Sequence, residues 1–348
     1  MTSTTIDDLG AFLLAGRTRS PAAALTEAAE AERLGLRRVW LSERYDLKEA
    51  GALLGGVAAR TATITVATGV VITTSRHPLL TAALGATMQA AYGHRFTLGL
   101  GRGFGEFLRG QNLAAAGYDA YADYIAILRR LWRGETVTYA GPAGRYEALK
   151  TIDPLDGPPP EIWSGIMGGP KAARVAAAVS DGVLLAPFLT PKAVQAAVAN
   201  IRDERRRLGL DPGIRVCASV VTAPEFSEEE TKLVCHARLV TYLQPPRFGD
   251  VYARLNGWDP KVVDRLRRHP QFQRLERGTA DQDFHRSQLL GPAGLVPDAW
   301  VAEASAVGPI ADCVATLEAY RDAGADELAL YGSTPADNAR LVAAWRAR

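Results

Sequence analysis

Cysteine is scarce in this chain. Cys217, Cys235 and Cys313 are the only three in 348 residues. An odd number at wide spacing excludes a disulfide scaffold and matches neither zinc-finger nor CxxC spacing, so three buried, reduced thiols are expected. Charge of one sign is also missing. Forty Lys and Arg against 38 Asp and Glu leave a net +2, which argues against a dedicated nucleic-acid binder. No apolar run of 18 or more residues escapes charges or glycine, so no membrane-spanning helix is expected. The opening MTSTTIDDLG has two acidic residues and no basic stretch, unlike a signal peptide. These absences together predict a cytoplasmic protein. The histidines, His77, His94, His236, His269 and His285, show no HExxH or HxH spacing, so no metal is expected. No GxSxG or Cys/His signature supports covalent hydrolysis.

What is present is an ordinary globular composition, 47% hydrophobic and 22% charged, in a chain long enough to bury a large core. Length alone allows two domains, but α/β barrels exceed 250 residues as one. Strand and helix signals alternate. LGAFLLA (9–15), RVWL (38–41), TITVATGVVI (63–72), FTLGLG (96–101), EIWSGI (161–166), GVLLA (182–186), RVCASVVT (215–222) and ELALY (327–331) read as eight strands. Helical patterns fall over 22–34, with Ser20-Pro21 as its start signal, and over 78–92, 118–132, 169–179, 192–208 and 310–323. A Gly-Pro-Ala-Gly turn joins a hairpin over 136–149. Eight strands in such alternation predict a (β/α)8 TIM barrel, with an open doubly wound sheet as the competitor, weakened by the lack of a GxGxxG turn after the first strand. Residues 225–305 show helical pieces punctuated by proline and no strand. They read as an insertion between strands seven and eight, packed over one end as a lid.

In a barrel the chemistry sits at the C-terminal ends of the strands. The fourth strand runs into Gly101-Arg102-Gly103-Phe104-Gly105, where glycines let backbone approach a ligand and Arg102 offers a fork for phosphate. The fifth runs through Gly165-Ile166-Met167-Gly168-Gly169 into Pro170, a helix start with free N–H groups and a positive end. Two neighbouring loops of this kind point to one shared phosphate. After the second strand, Glu43 and Arg44 form a candidate acid/base or substrate-orienting pair. His77, before Pro78, reads as a turn-stabilising residue.

Four stretches then resemble the bacterial luciferase-like monooxygenase superfamily, especially its actinobacterial branch that uses the deazaflavin coenzyme F420. They are AEAERLGLRRVWLSERYD, VATGVVITTSRHPLLTAALGATMQAAYGHRFTLGLGRGF, EIWSGIMGGPKAARVAAAVSDGVLL and VGPIADCVATLEAYRDAGADELALYG. The resemblance implies one barrel domain over 1–348 with the 225–305 insertion. It also implies a flavin or deazaflavin ring in the barrel mouth, with a non-prolyl cis peptide at Gly69-Val70, after Thr68, against the ring. Phosphate contacts carry over to Gly101–Gly103 and to Gly168-Gly169. The family's sugar-phosphate dehydrogenases have an Asp-His pair after the second strand, where this chain has Glu43-Arg44. Arg cannot serve as a base, which counts against that reaction and leaves Glu43 as the acid/base candidate. Arg102, Arg109 and Lys171 would suit the oligoglutamate tail of F420. The resemblance thus implies hydride transfer between F420 and a small-molecule substrate. The alternatives are an FMN-dependent monooxygenase supplied by a partner reductase, and a non-catalytic flavin-binding barrel. A homodimer is the family's usual state.

Overall fold

A computed structural model describes residues 5–45 and 47–348. Eight parallel strands close into a ring: β1 (Ile6–Leu13), β2 (Leu36–Leu41), β3 (Thr65–Thr68), β4 (Phe96–Gly101), β5 (Glu161–Ile166), β6 (Gly182–Leu185), β7 (Arg215–Pro224) and β8 (Glu327–Tyr331). β8 pairs with both β7 and β1, so no edge is left open. A helix follows each strand: α1 (Ala23–Arg33), α2 (Ala50–Arg60), α3 (Pro78–Ala91), α4 (Tyr118–Trp132), α5 (Pro170–Val179), α6 (Pro191–Arg207), α7 (Ile310–Asp322) and α8 (Ala339–Arg346). This is the expected (β/α)8 barrel.

Three departures from the sequence reading have local causes. The third run divides in two, because the chain bulges at Gly69 and resumes as Val71–Ile72, which pairs with β4. An unexpected short strand begins where the stretch expected to hold none ends: Ser305–Gly308 runs parallel to the end of β7, Val221 opposite Ser305, where β7 has outrun its pairing with β8. Ser20 caps nothing; α1 begins at Ala23 without a side-chain cap.

The barrel's inner face explains where a site can form. Side chains alternate in and out along β2, so Arg38, Trp40 and Ser42 point inward at successive levels. At the lowest level Arg38 and Glu327, both buried, face each other at 3.6 Å, and Arg215 reaches Glu327 at 3.1 Å. The Arg38 guanidinium lies 4.3 Å from the Trp163 ring, and Trp163 packs on Trp40 at 5.6 Å. Phe12 stacks on Trp40 from above. Ion pair and indoles together plug the lower barrel and leave only its C-terminal mouth open.

Residues 225–305 pack over that mouth. A helical run over Glu228–Leu243, with a π-turn at Lys232–His236, is followed by Phe248–Asn256, Pro260–Arg267 and Asp298–Ala304. Trp258, from the middle of the segment, and Trp300, from its last helix, stack at 4.6 Å.

Candidate active site

The mouth encloses a cavity of about 750 Å³, ample for a cofactor and a substrate. Its wall is built around the bulge after β3. The Gly69–Val70 peptide is cis. Ser42 Oγ donates to the Gly69 carbonyl at 2.8 Å, and Gly69 N–H donates to Leu41 O at 2.7 Å. Val70 then projects between two neighbouring strands. A Cβ on Gly101 would lie 2.7 Å from Val70 Cγ2, and one on Gly165 would lie 2.5 Å from Val70 Cγ1. Those two glycines are therefore required by Val70, not by the approach of a ligand. Thr68 is fully buried, does not line the cavity and ties β3 to β4 through Oγ1 to Gly99 O at 2.7 Å.

Basic side chains collect at the rim. Arg102 donates to Ala116 O at 2.6 Å and lies 3.7 Å over the Tyr118 ring, with Lys171 Nζ 5.1 Å from the same ring. Gly169 precedes Pro170 at the start of α5, whose first turn lines the cavity and has no side-chain cap, so its leading N–H groups have no capping side chain. A Cβ on Gly169 would meet nothing within 4 Å. Arg109, Arg247 and Arg254 complete the rim, against one carboxylate among the described residues, Glu106. Arg247 Nε and Nη2 donate to Glu106 at 3.0 and 2.8 Å. Burial raises the Glu106 pKa, and the hydrogen bonds and charge of Arg247 outweigh it, so this carboxyl sits below its ordinary value.

The inner end has a different character. Phe12, Ser219, Tyr242 and Tyr331 line it. Tyr242 Oη donates to Tyr331 Oη at 3.4 Å, and Arg238 Nη2 also donates to Tyr331 Oη. Behind them Asp281 holds Arg44 at 2.5 Å and Arg238 at 4.0 Å. Burial raises the Asp281 pKa, but the charges of Arg44 and Arg238 pull it below its ordinary value.

Of the residues singled out from sequence, Gly69, Val70, Gly101, Arg102, Gly103, Gly165, Ile166, Met167 and Gly169 all line the cavity, as do Arg109 and Lys171. Gly168 does not; its α-carbon faces Ala197 and Leu189. Glu43 and Arg44 do not line it and do not pair with each other. Glu43 accepts from Arg76 at 2.6 Å and from the Ala50 N–H at the start of α2 at 3.4 Å, and Arg44 turns to Asp281. His77 accepts the Leu79 N–H at 3.2 Å, a turn-stabilising contact at the start of α3. Tyr242, Arg247, Phe248, Val251 and Arg254 come from the insertion. Of these, Arg247, Val251 and Arg254 stand at i, i+4 and i+7, a one-face spacing legible in the sequence. Ser219 and Tyr331 carry no such signal.

Comparison with known proteins agrees with this geometry. A family profile described as luciferase-like monooxygenase matches residues 5–327. The chain is 32% identical over 266 residues to an F420-dependent glucose-6-phosphate dehydrogenase of Microbacterium testaceum, covering 72% of this chain and 75% of that protein. It is 25% identical over 299 residues to a 5,10-methylenetetrahydromethanopterin reductase of Methanolobus tindarius, covering 86% of each. Its fold matches the coenzyme F420-dependent tetrahydromethanopterin reductase from Methanopyrus kandleri with a TM-score of 0.78 at 19% identity, over 98% of this chain and 97% of that one.

Proposed function

Because the chain belongs to the luciferase-like monooxygenase family and is an oxidoreductase of that class, we propose that it is F420-dependent and transfers a hydride between the deazaflavin and a small organic substrate. The observation that carries this reading is the charge at the cavity rim. Among the described residues, five basic side chains, Arg102, Arg109, Lys171, Arg247 and Arg254, line it with one carboxylate. A flavin mononucleotide brings one phosphate; a deazaflavin with its oligoglutamate tail brings a string of carboxylates, which is what such a rim attracts.

The residues fit such a cofactor. The open space at Gly169, the uncapped start of α5 and Arg102 form a place for the phosphate. Val70 and Ile166 offer an apolar wall to a ring system. Arg109, Arg247 and Arg254 stand outside that phosphate place, toward solvent, for the tail. When bound, the cofactor supplies a two-electron hydride chemistry that no side chain can supply. The protein's part is to bind, orient and exclude water. The reading includes a partner reductase that recycles the cofactor and a homodimer. Glucose 6-phosphate is not the proposed substrate: Arg44, at the position of the family's His, is committed to Asp281.

Titration of the purified protein with F420 and with FMN, followed by fluorescence and calorimetry, tests this. Micromolar binding of F420 and much weaker binding of FMN are expected. Binding of FMN without F420 would overturn the reading in favour of a flavin monooxygenase. Binding of either cofactor without turnover across a substrate panel would favour a non-catalytic flavin barrel.

A further inference from the structure

We propose that the inner end of the cavity binds the oxygen atom of a neutral carbonyl compound through the hydroxyls of Tyr331 and Ser219, and that Tyr331 gives that oxygen its proton. The proposal rests on the reading above, in that the hydride comes from a reduced deazaflavin.

The hydrogen-bond count carries it. Tyr331 Oη accepts twice, from Arg238 and from Tyr242, and its own O–H has no acceptor among the described residues. Ser219 Oγ, on β7, is buried and has no partner at all among them. Unspent hydroxyls in a buried wall are costly unless something fills them, and both line the cavity. Two unspent hydroxyls on the adjacent strands β7 and β8, both lining the cavity, ask for an oxygen acceptor. The inner end is otherwise apolar, with Phe12 edge-on to Tyr331 at 4.9 Å and Leu184 alongside. Arg238 does not line the cavity, and Tyr331 and Asp281 take its two Nη atoms, so it offers no anion site there. The fitting substrate is therefore an uncharged ketone or aldehyde with an apolar body, or the corresponding alcohol.

The step balances. Hydride adds to the carbonyl carbon, the C=O π pair moves onto oxygen, and oxygen takes the proton from Tyr331 Oη. The phenolate left beside the Arg238 guanidinium is stabilised by that charge and regains a proton from solvent. In the reverse direction the alcohol proton returns to the phenolate as hydride leaves carbon for the oxidised deazaflavin. Arg238 cannot donate the proton itself; it acts through Tyr331 as a positioning residue.

Cyclohexanone labelled with carbon-13 at the carbonyl is the probe, titrated by NMR into cofactor-free protein. In the wild type the bound carbonyl resonance should move downfield. Tyr331→Phe, which keeps the ring contacts with Phe12 and Arg238, should reduce that shift, leaving only the part due to Ser219, and weaken binding about tenfold. Ser219→Ala should weaken it less. With reduced F420 present, Tyr331→Phe should lower kcat for the ketone about a hundredfold while F420 affinity is unchanged. No ketone binding to the wild type, or an unaltered shift in Tyr331→Phe, overturns the proposal whether or not F420 binds. Failure of F420 to bind with the ketone result intact overturns the cofactor reading and leaves the oxygen site standing.

Discussion

Gly165→Ala tests whether the site depends on the seat of Val70. The added methyl would lie 2.5 Å from Val70 Cγ1, well inside the roughly 3.5 Å at which carbon atoms rest. The strand cannot retreat, since β5 is paired on both sides, to β4 and β6. Overpacking of this kind costs about 1–3 kcal/mol, and it is released by moving Val70 and the bulge it belongs to. Urea unfolding of the variant should therefore show a loss in that range. F420 affinity should fall by a comparable factor, about fivefold to a hundredfold. The double variant Gly165→Ala/Val70→Ala removes the Val70 γ-methyl that the added methyl would strike. It should recover most of the stability lost in Gly165→Ala, with a coupling of at least about 1 kcal/mol. Additive effects within about 0.5 kcal/mol would refute the claim that the glycine exists to admit Val70.

Three further outcomes follow from other parts of the molecule. Glu327→Gln strips the buried Arg38 and its neighbour Arg215 of their shared counter-charge and should cost about 3 kcal/mol or more, read by urea unfolding, while F420 binding at the far end of the barrel is retained. Arg247 is exposed, and such a pair contributes at most about 1 kcal/mol. Arg247→Ala should therefore leave the melting temperature in place, weaken F420 up to about fivefold and reduce the salt dependence of binding. Asp281 has a folded pKa below its ordinary 3.8, so it binds fewer protons folded than unfolded. Its contribution is complete above about pH 5 and is lost as pH falls through the unfolded and then the folded value. Asp281→Asn should lower stability at pH 7 and flatten the acid limb of the stability curve below about pH 4.

Much of the barrel was legible because buried parallel strands are continuous apolar runs between glycine and proline stops. FTLGLG, EIWSGI, ELALY and the Tyr118–Trp132 helix begin and end where the sequence places them. α2 was missed: its AGALLGGVAAR has three glycines, which oppose helix formation, and a Glu49 cap in place of Ser or Asp. Ser305–Gly308 was missed because a four-residue strand is defined only by its partner, the overhang of β7. In the site, the glycine and arginine loops were legible by type. Why Gly101 and Gly165 are glycine was not, since their neighbour Val70 arrives from another strand. Nor was the grouping of Tyr242 with Tyr331, 89 residues apart in sequence, which exists only once the ring has closed.

The Glu106–Arg247 bridge joins a loop of the barrel to the inserted segment, and Phe104 stacks on Phe248 beside it at 4.3 Å. The same segment carries Tyr242 to the inner end. One stretch of chain therefore serves both the rim proposed to meet the cofactor's charge and the chamber proposed to meet the substrate. An exchange of residues 225–305 for those of a relative would transplant cofactor grip together with substrate preference, whereas single changes at Tyr242 or Ser219 could retune the chamber and leave the rim inherited intact.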